Sequence, residues 1–337
     1  MKRKQHRILY GVLLLLAPIL IIFLTLFSGR YSAGFVDILQ TIFSFGNQTN
    51  TVSDEMLTVI WQLRFPRALA AAFVGAALAV SGAAFQGVFR NPLVNSGILG
   101  VSNGAGFGAA LAILLFGGGY YLYPFAFAFG LLAVVASYFS GKIYGTSPTV
   151  TLILGGVVVS NFFSALTSIL KYLADPYSQL PAITFWFMGS LSSVSYTQFI
   201  AFIPMTIGML MIFLSRWKIN ALSMGEKEAL ALGVDTKFYK FMIIGGATLA
   251  TASAVCISGV IGWVGLVIPH IGRMLVGNDN NRLIPVSMSL GACYLVLMDV
   301  LSRSLTASEI PIGILTAVIG TPFFIYLLRK TKGGGWR

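Results

Sequence analysis

The chain has 337 residues, of which 57% are hydrophobic and only 9% charged, with a mean hydropathy of +0.86 and a formal net charge of +12. A soluble domain carries about a quarter charged residues, so the composition excludes a water-covered globule and predicts an integral membrane protein. The positive charge could suggest nucleic acid, but its placement along the chain follows membrane topology. We therefore expect a lipid bilayer, and no nucleic acid, as a partner.

Apolar segments long enough to cross a bilayer, about 20 residues each, recur along the whole chain. We predict an all-α polytopic protein in which 1–337 form a single transmembrane domain with about ten spanning helices. The first apolar run is too long for a signal peptide, so we expect an uncleaved helix. The eighth is short and rich in Gly and Pro, so it should lie inside the bundle. The predicted spans are 8–28, 63–85, 94–116, 121–141, 148–170, 195–215, 239–259, 262–274, 283–304 and 311–329.

Basic residues are distributed unevenly between the predicted loops. With ten helices and a cytoplasmic N-terminus, most of the 22 lysines and arginines fall on the cytoplasmic side, as the positive-inside rule requires. This asymmetry predicts that both termini are cytoplasmic. The exceptions, which would face outward, are Arg30, Arg64, Arg67, Lys171 and Arg303.

Three of these outward arginines lie at the ends of predicted helices. Arg64 and Arg67 are three residues apart, so they share one face of a helix, and Arg303 ends the ninth span. They could reach toward lipid phosphates or form an internal ion pair. Asp299 lies one helical turn before Arg303 and is the available partner for such a pair.

Small and polar residues cluster in the third predicted span. Gly100, Gly104 and Gly108 are four residues apart, a spacing that lets helix backbones approach closely. Asn103 lies among them and is a candidate pathway residue, because a hydrated cargo needs polar groups along its route.

One charged, water-compatible segment, 216–238, interrupts the apolar sequence near its middle. Ser223 and Glu226 have the spacing of a capping box, and Gly233 is well placed to end the helix that follows. The pattern predicts a short cytoplasmic helix of about nine residues.

A helix this short is marginally stable in water unless something packs against it. The apolar residues that such packing would have to cover are Leu222, Ala229 and Leu232. Either the base of the protein or a cytoplasmic partner could cover them, and the residues alone leave both possibilities open.

Other classes of function find little support in the sequence. There are no paired carboxylates, no Ser/His/Asp set and no metal-binding spacing, and Cys256 and Cys293 read as buried apolar residues, so we expect no enzymatic activity, cofactor or metal site. Gly141-Lys142 is followed by Ile143, so the G-x-x-x-x-G-K-[ST] nucleotide motif is missing. An ion-coupled secondary transporter would have to use Asp299 or His270.

Three long stretches resemble the FecCD-like permeases of ABC importers for iron-siderophores, haem and cobalamin. They are "LRFPRALAAAFVGAALAVSGAAFQGVFRNPLVNSGILGVSNGAGFG" (63–108), "ALALGVDTKFYK" with "SGVIGWVGLVIPHIGRML" (229–275) and "MDVLSRSLTASEIPIGILTAVIGTPFFIYLLRK" (298–330). The resemblance implies the type II ABC importer permease fold, in a bacterial or archaeal cytoplasmic membrane. It also implies two ATPase subunits, a second permease copy and an extracytoplasmic binding protein. The cargo would be a metal chelate, with molybdate or tungstate as the alternative.

The resemblance also implies roles for particular residues. The cytoplasmic segment would be the coupling helix that sits in a cleft of the ATPase, with Leu222, Ser223, Gly225, Glu226, Ala229, Leu232 and Gly233 as the coupling residues. Arg64, Arg67 and Arg303 would receive acidic residues of the binding protein. Ser147 and Thr149, in the turn between the fourth and fifth spans, would join Asn103 as pathway or gate residues.

Overall fold

The computed structural model describes residues 2–29, 34–43, 53–141, 149–306 and 308–330, and within these ranges the regular structure is helical, without strands. The α-helices are α1 (Lys2–Thr25), α2 (Phe35–Phe43), α3 (Asp54–Leu57), α4 (Phe65–Val88), α5 (Val101–Phe116), α6 (Leu122–Gly141), α7 (Thr149–Leu173), α8 (Gln179–Met188), α9 (Phe202–Met224), α10 (Glu226–Ala231), α11 (Thr236–Ser258), α12 (Val264–Val276), α13 (Asn280–Ser304) and α14 (Ile312–Lys330). A π-helical turn, Thr58–Arg64, joins α3 to α4.

The number of spans agrees with the hydropathy pattern. Six helical segments of the described chain are long and apolar enough to cross a membrane, and four shorter apolar helices accompany them. The prediction of about ten spanning helices is therefore confirmed. The six long segments are 54–88, 119–141, 150–173, 196–224, 236–258 and 280–304, and the shorter ones are 11–25, 101–116, 264–276 and 312–326.

Helix α4 lies at the centre of the bundle. It packs against α9, α11, α12 and α13, and most of its residues are buried. Because its sequence is rich in alanine and glycine, most of its side chains are short on every side of the helix. Large lipid-facing side chains lie instead on the outer helices, as with Leu154 on α7 and Leu214 on α9.

Two glycines of α4 allow neighbouring backbones to touch it. A Cβ atom at Gly75 would lie 2.1 Å from the Gly291 carbonyl oxygen of α13, and one at Gly82 would lie 1.9 Å from the Gly265 carbonyl oxygen of α12. Neither obstacle is a flexible side chain that could move aside. These crossings therefore fix how closely α12 and α13 approach the central helix.

The third span begins later than predicted, at Val101 rather than near residue 94. The Asn91 side chain accepts from the Leu93 amide at 2.9 Å, and the Asn95 side chain accepts from the Gly97 amide at 3.0 Å. These side chain–backbone bonds stabilise turns in place of helix, and Gly100 closes the segment at φ +86°.

The short eighth span is confirmed. Helix α12 has 13 residues, contains Pro269 and is mostly buried within the bundle. The segment after α1 contains the amphipathic helix α2. It is fastened to the start of the second span by a 3.0 Å hydrogen bond from Trp61 Nε1 to the Thr41 carbonyl.

We predict that Gly82→Ala lowers the yield and thermal stability of the folded protein in detergent, because its methyl group would overlap the α12 backbone. Gly245→Ala is the matched control, since it is also mid-helix but its nearest neighbour is a methionine methyl 3.9 Å away. Replacing glycine with alanine in an unobstructed helix stabilises it by about 0.5–1 kcal/mol. Equal unfolding midpoints for the two variants would contradict the role of close approach.

Candidate functional site

The short helix α10 stands at one end of the bundle, between α9 and α11. Gly225 separates it from α9 at φ +143°, and Gly233 ends it at φ +72°. The Val234 amide donates to the Ala229 carbonyl at 3.0 Å and the Gly233 amide to the Leu230 carbonyl at 2.9 Å. This is the Schellman pattern, so the expected role of Gly233 as a helix stop is confirmed.

The predicted capping box is wrong. Helix α9 continues to Met224, so Ser223 is helical and its hydroxyl donates to the Asn220 carbonyl at 2.7 Å. The N-cap of α10 is Gly225, without a side-chain hydrogen bond, and α10 has six residues rather than about nine.

Glu226 fastens α10 to the helix that follows it. Its carboxylate accepts from Lys240 Nζ at 2.8 Å and from Thr236 Oγ1 at 3.5 Å, and both partners lie on α11. Because the two helices are joined by this ion pair and by a short tight turn, α10 has a defined orientation relative to α11.

The two sides of the α10 region differ in what covers them. Leu222, Ala229 and Val234 are buried against the protein itself. Met224, Leu230 and Leu232 are 63%, 57% and 60% exposed. The base of the bundle thus covers Leu222 and Ala229 but leaves Leu232 in an exposed apolar face, which we call the α10 outer face (Met224, Leu230 and Leu232).

At the opposite end, Arg64, Arg67 and Arg303 converge on partners within the protein. Arg67 Nε lies 2.7 Å from Asp299 Oδ1, and Arg67 Nη1 lies 2.9 Å from a Glu309 carboxylate oxygen. Arg303 Nε lies 3.6 Å from Asp299 Oδ2. The internal pair between Arg303 and Asp299, one of the alternatives left open by the sequence, is thus present.

Backbone carbonyls at the end of α1 complete this arginine cluster. Arg64 Nη1 donates to the Leu26 carbonyl at 2.7 Å, and Arg303 donates to the carbonyls of Ser28 and Thr25 at 2.8 and 3.1 Å. The three arginines and Glu309 line one cavity of about 320 Å³. The arginines are 6–9% exposed, so most of their surface is already covered.

Sequence reasoning missed Glu309, the second carboxylate of this cluster. It lies in the segment between α13 and α14, which is held by a 2.6 Å hydrogen bond from Ser302 Oγ to the Ile310 carbonyl. Its position within "TASEIPIG", beside the outward Arg303, was the available signal.

The predicted pathway residues are only partly described. Asn103 is half-buried and donates to the Ser160 carbonyl of α7 at 3.1 Å. Ser147 lies outside the described residues, and for Thr149 only the backbone, at the start of α7, is described. The sequence analysis did not single out the exposed polar residues Asn161, Ser164 and Ser168, which share one face of α7.

The two candidate residues for ion-coupled transport, Asp299 and His270, are both buried. Asp299 is paired with two arginines, and His270 is buried on α12. Within the described ranges, His, Cys, Asp and Glu residues form no group of three that could hold a metal ion.

Comparison with known proteins places this bundle in a class. The molybdate import system permease protein MolB of Haemophilus influenzae is 42% identical over 335 residues, which are 98% of this chain and 97% of MolB. The hemin transport system permease protein HmuU of Yersinia pestis is 33% identical over 346 residues, with 98% of each chain covered. A solved structure described as an inward-facing metal-chelate type ABC transporter superposes with a TM-score of 0.84 at 41% identity, covering 96% of this chain and 99% of that one.

A multi-pass helical bundle with these relatives is the membrane permease component of an ABC transporter. It is not an enzyme, since ATP is hydrolysed by a separate subunit. More particularly, the chain belongs to the FecCD transport family, whose model matches residues 14–330. The resemblance found in the sequence is thereby confirmed.

We predict that Asp299→Asn destabilises the protein, because it leaves buried guanidinium groups without their shared carboxylate. Breaking a buried ion pair typically costs about 3–5 kcal/mol, so the midpoint of thermal unfolding in detergent should fall clearly. Glu309→Gln is the matched control, and its effect should be smaller because its side chain is 36% exposed. An unchanged midpoint for Asp299→Asn would show that the pair does not hold the outer end together.

Proposed function

We propose that this chain is the membrane-spanning subunit of an ATP-driven importer, and that a separate ATPase subunit binds α10 and drives transport. The observation that carries the proposal is the α10 outer face. A short helix that leaves Leu230 exposed beside the exposed flanking residues Met224 and Leu232, while its other side packs on the bundle, is suited to bind a partner. Family membership supplies the ATPase as that partner.

The way α10 is held supports a role in force transmission. Helix α10 is joined to α9 at Gly225 and to α11 by the turn at Gly233. Both of these neighbours are spanning helices. The ion pair between Glu226 and Lys240 resists movement of α10 relative to α11. Displacement of α10 by the ATPase is therefore passed to α11, which packs on the central helix α4. In this proposal the whole coupling loop spans about 216–238.

The remaining partners and the orientation are also proposed. The complex contains two ATPase subunits and a second permease copy, most simply an identical one, in a bacterial or archaeal cytoplasmic membrane. Both termini lie on the α10 side, which is cytoplasmic. In support, Gly11 of α1 and Arg216 of α9 line one cavity at the α10 end. The pathway would run along α7, past Asn103 and toward Ser147 and Thr149.

We propose a metal chelate of the ferric siderophore, haem or cobalamin class as the cargo. Support comes from relatives such as the hemin permease HmuU and from the inward-facing metal-chelate type transporter. A molybdate or tungstate oxyanion is the second candidate, because the molybdate permease MolB is 42% identical along nearly the whole length.

The test is uptake into vesicles that contain the permease, its ATPase and the binding protein encoded with it. We expect accumulation of labelled ferric chelate only when ATP is supplied on the α10 side, with labelled molybdate as the parallel measurement for the second candidate. Accumulation without any ATPase, driven by an ion gradient, would overturn the proposal.

In the same vesicles, Leu232→Glu should abolish uptake and the stimulation of ATP hydrolysis by loaded binding protein. The substitution lies on the exposed face, so the unfolding midpoint should stay within the small range typical of surface changes. Val36→Glu is the control, since it also adds a carboxylate to an exposed apolar position but on α2, at the other end. Normal coupling in Leu232→Glu would mean that the α10 outer face is not the ATPase contact.

At the other end, we propose that Arg64, Arg67 and Arg303 receive carboxylates of the binding protein. Their convergence on one cavity supports this role, and guanidinium–carboxylate pairing would orient the partner as well as attract it. A partner carboxylate would have to enter the cavity and compete with Glu309. The internal bonds described above are the alternative explanation for why arginines are found here.

Arg64→Gln separates the two explanations. If the arginine docks the binding protein, affinity should fall by about tenfold or more at low salt, while the unfolding midpoint changes little. Lys171→Gln removes another positive charge from the same end and should leave affinity unchanged. A lowered midpoint with unaltered affinity would assign Arg64 a purely structural role.

A further inference from the structure

A second large cavity, of about 940 Å³, lies at the α10 end of the bundle but on its flank. Helices α1 and α9 both pack on α13, and the cavity opens between them, closed at one end by the turn between α12 and α13. One lining residue, Arg216, begins the proposed coupling loop, and none belongs to the α10 outer face or to the arginine cluster.

Two arginines supply the positive charge of this cavity. Arg216 of α9 is half-buried and its guanidinium stacks on the Phe213 ring, 3.8 Å from the ring centroid. Arg282, in the first turn of α13, is exposed. Among the described residues, neither has a carboxylate within ion-pair distance, so both remain available to an anion.

Asp279 is the acidic residue in the cavity lining, and its carboxylate is already engaged. Its Oδ1 accepts from Asn220 Nδ2 at 2.7 Å and from the Asn281 amide at 3.0 Å. The hydrogen bond from Asn220 is the main reason why the pKa of Asp279 lies below its usual value. The carboxylate therefore stays charged and organises the turn, while the two arginines leave the cavity positive.

Apart from Asn281, the rest of the lining is apolar and leads to the exposed apolar surface of the bundle. Leu14, Phe213 and Leu275 form walls, and beyond them the exposed faces of α1 and α9 carry large aliphatic side chains. A ligand that is small and wholly polar would gain nothing from these walls. A ligand with an anionic head and hydrocarbon tails would match both parts.

We propose that this cavity is a binding site for one anionic glycerophospholipid, whose phosphodiester lies between Arg216 and Arg282 and whose acyl chains follow α1 and α9. Basic pockets between spanning helices at a headgroup level are suited to such lipids.

The experiment measures lipid retained by the purified full-length chain, using native mass spectrometry in detergent. Phosphatidylglycerol and phosphatidylcholine with identical acyl chains are offered in equal amounts, and inorganic phosphate is offered separately. We expect the wild-type chain to prefer phosphatidylglycerol. Arg216→Gln and Arg282→Gln should each reduce the preference by about fivefold, the effect of one basic residue near an anionic lipid surface. Lys237→Gln, which removes an exposed charge from the same end, should leave it unchanged.

Several results would overturn the proposal. Equal retention of the two lipids by the wild-type chain would do so without reference to any variant. An equal loss in Lys237→Gln would show general charge attraction instead of a site, and binding of inorganic phosphate with no lipid preference would identify a free anion as the ligand. Displacement of the lipid by a second copy of the chain, detected as a dimer that excludes phosphatidylglycerol, would make the cavity a protein interface. Because no transport is measured, these outcomes are independent of the importer proposal.

Discussion

The bundle depends on how closely other helices can approach α4. Transmembrane helices gain little from the hydrophobic effect when they associate, because lipid tails are as apolar as their side chains. Packing must therefore supply the stability. At Gly75 and Gly82, carbonyl groups of neighbouring helices occupy the space where a side chain would begin. These contacts place α12 and α13 against α4. Asp299 of α13 thereby lies beside Arg67, at the end of the bundle opposite α10.

The two ends of the bundle meet different physical requirements. At the α10 end, polar and charged residues organise turns that stand in water, such as the bonds from Glu226 to α11 and from Asp279 to its neighbours. At the opposite end, three arginines are buried, and Asp299 and Glu309 balance part of their positive charge. Both arrangements join segments that are distant in sequence, so each end holds several helices together.

Hydropathy and charge were sufficient to predict the spans, the short buried eighth helix and the charged segment near the middle of the chain. They could not predict where helices begin and end, because Asn91 and Asn95 stabilise turns and Ser223 bonds within its own helix through specific local contacts. Partners across the fold were harder still. The pairing of Asp299 with Arg303 could be predicted because the two residues are one helical turn apart in the sequence. The bond between Asp299 and Arg67 and the contribution of Glu309 depend instead on how the helices pack.

The separation between Arg67 and Asp299 has a consequence for how the protein is made. The two residues are 232 positions apart, so the ribosome delivers the arginine long before its carboxylate partner exists. Until α13 is synthesised, the guanidinium has to remain hydrated or reach lipid phosphates, which keeps the outer end of α4 at the interface. Packing of α4 through this ion pair therefore has to wait until the C-terminal half of the chain has been synthesised.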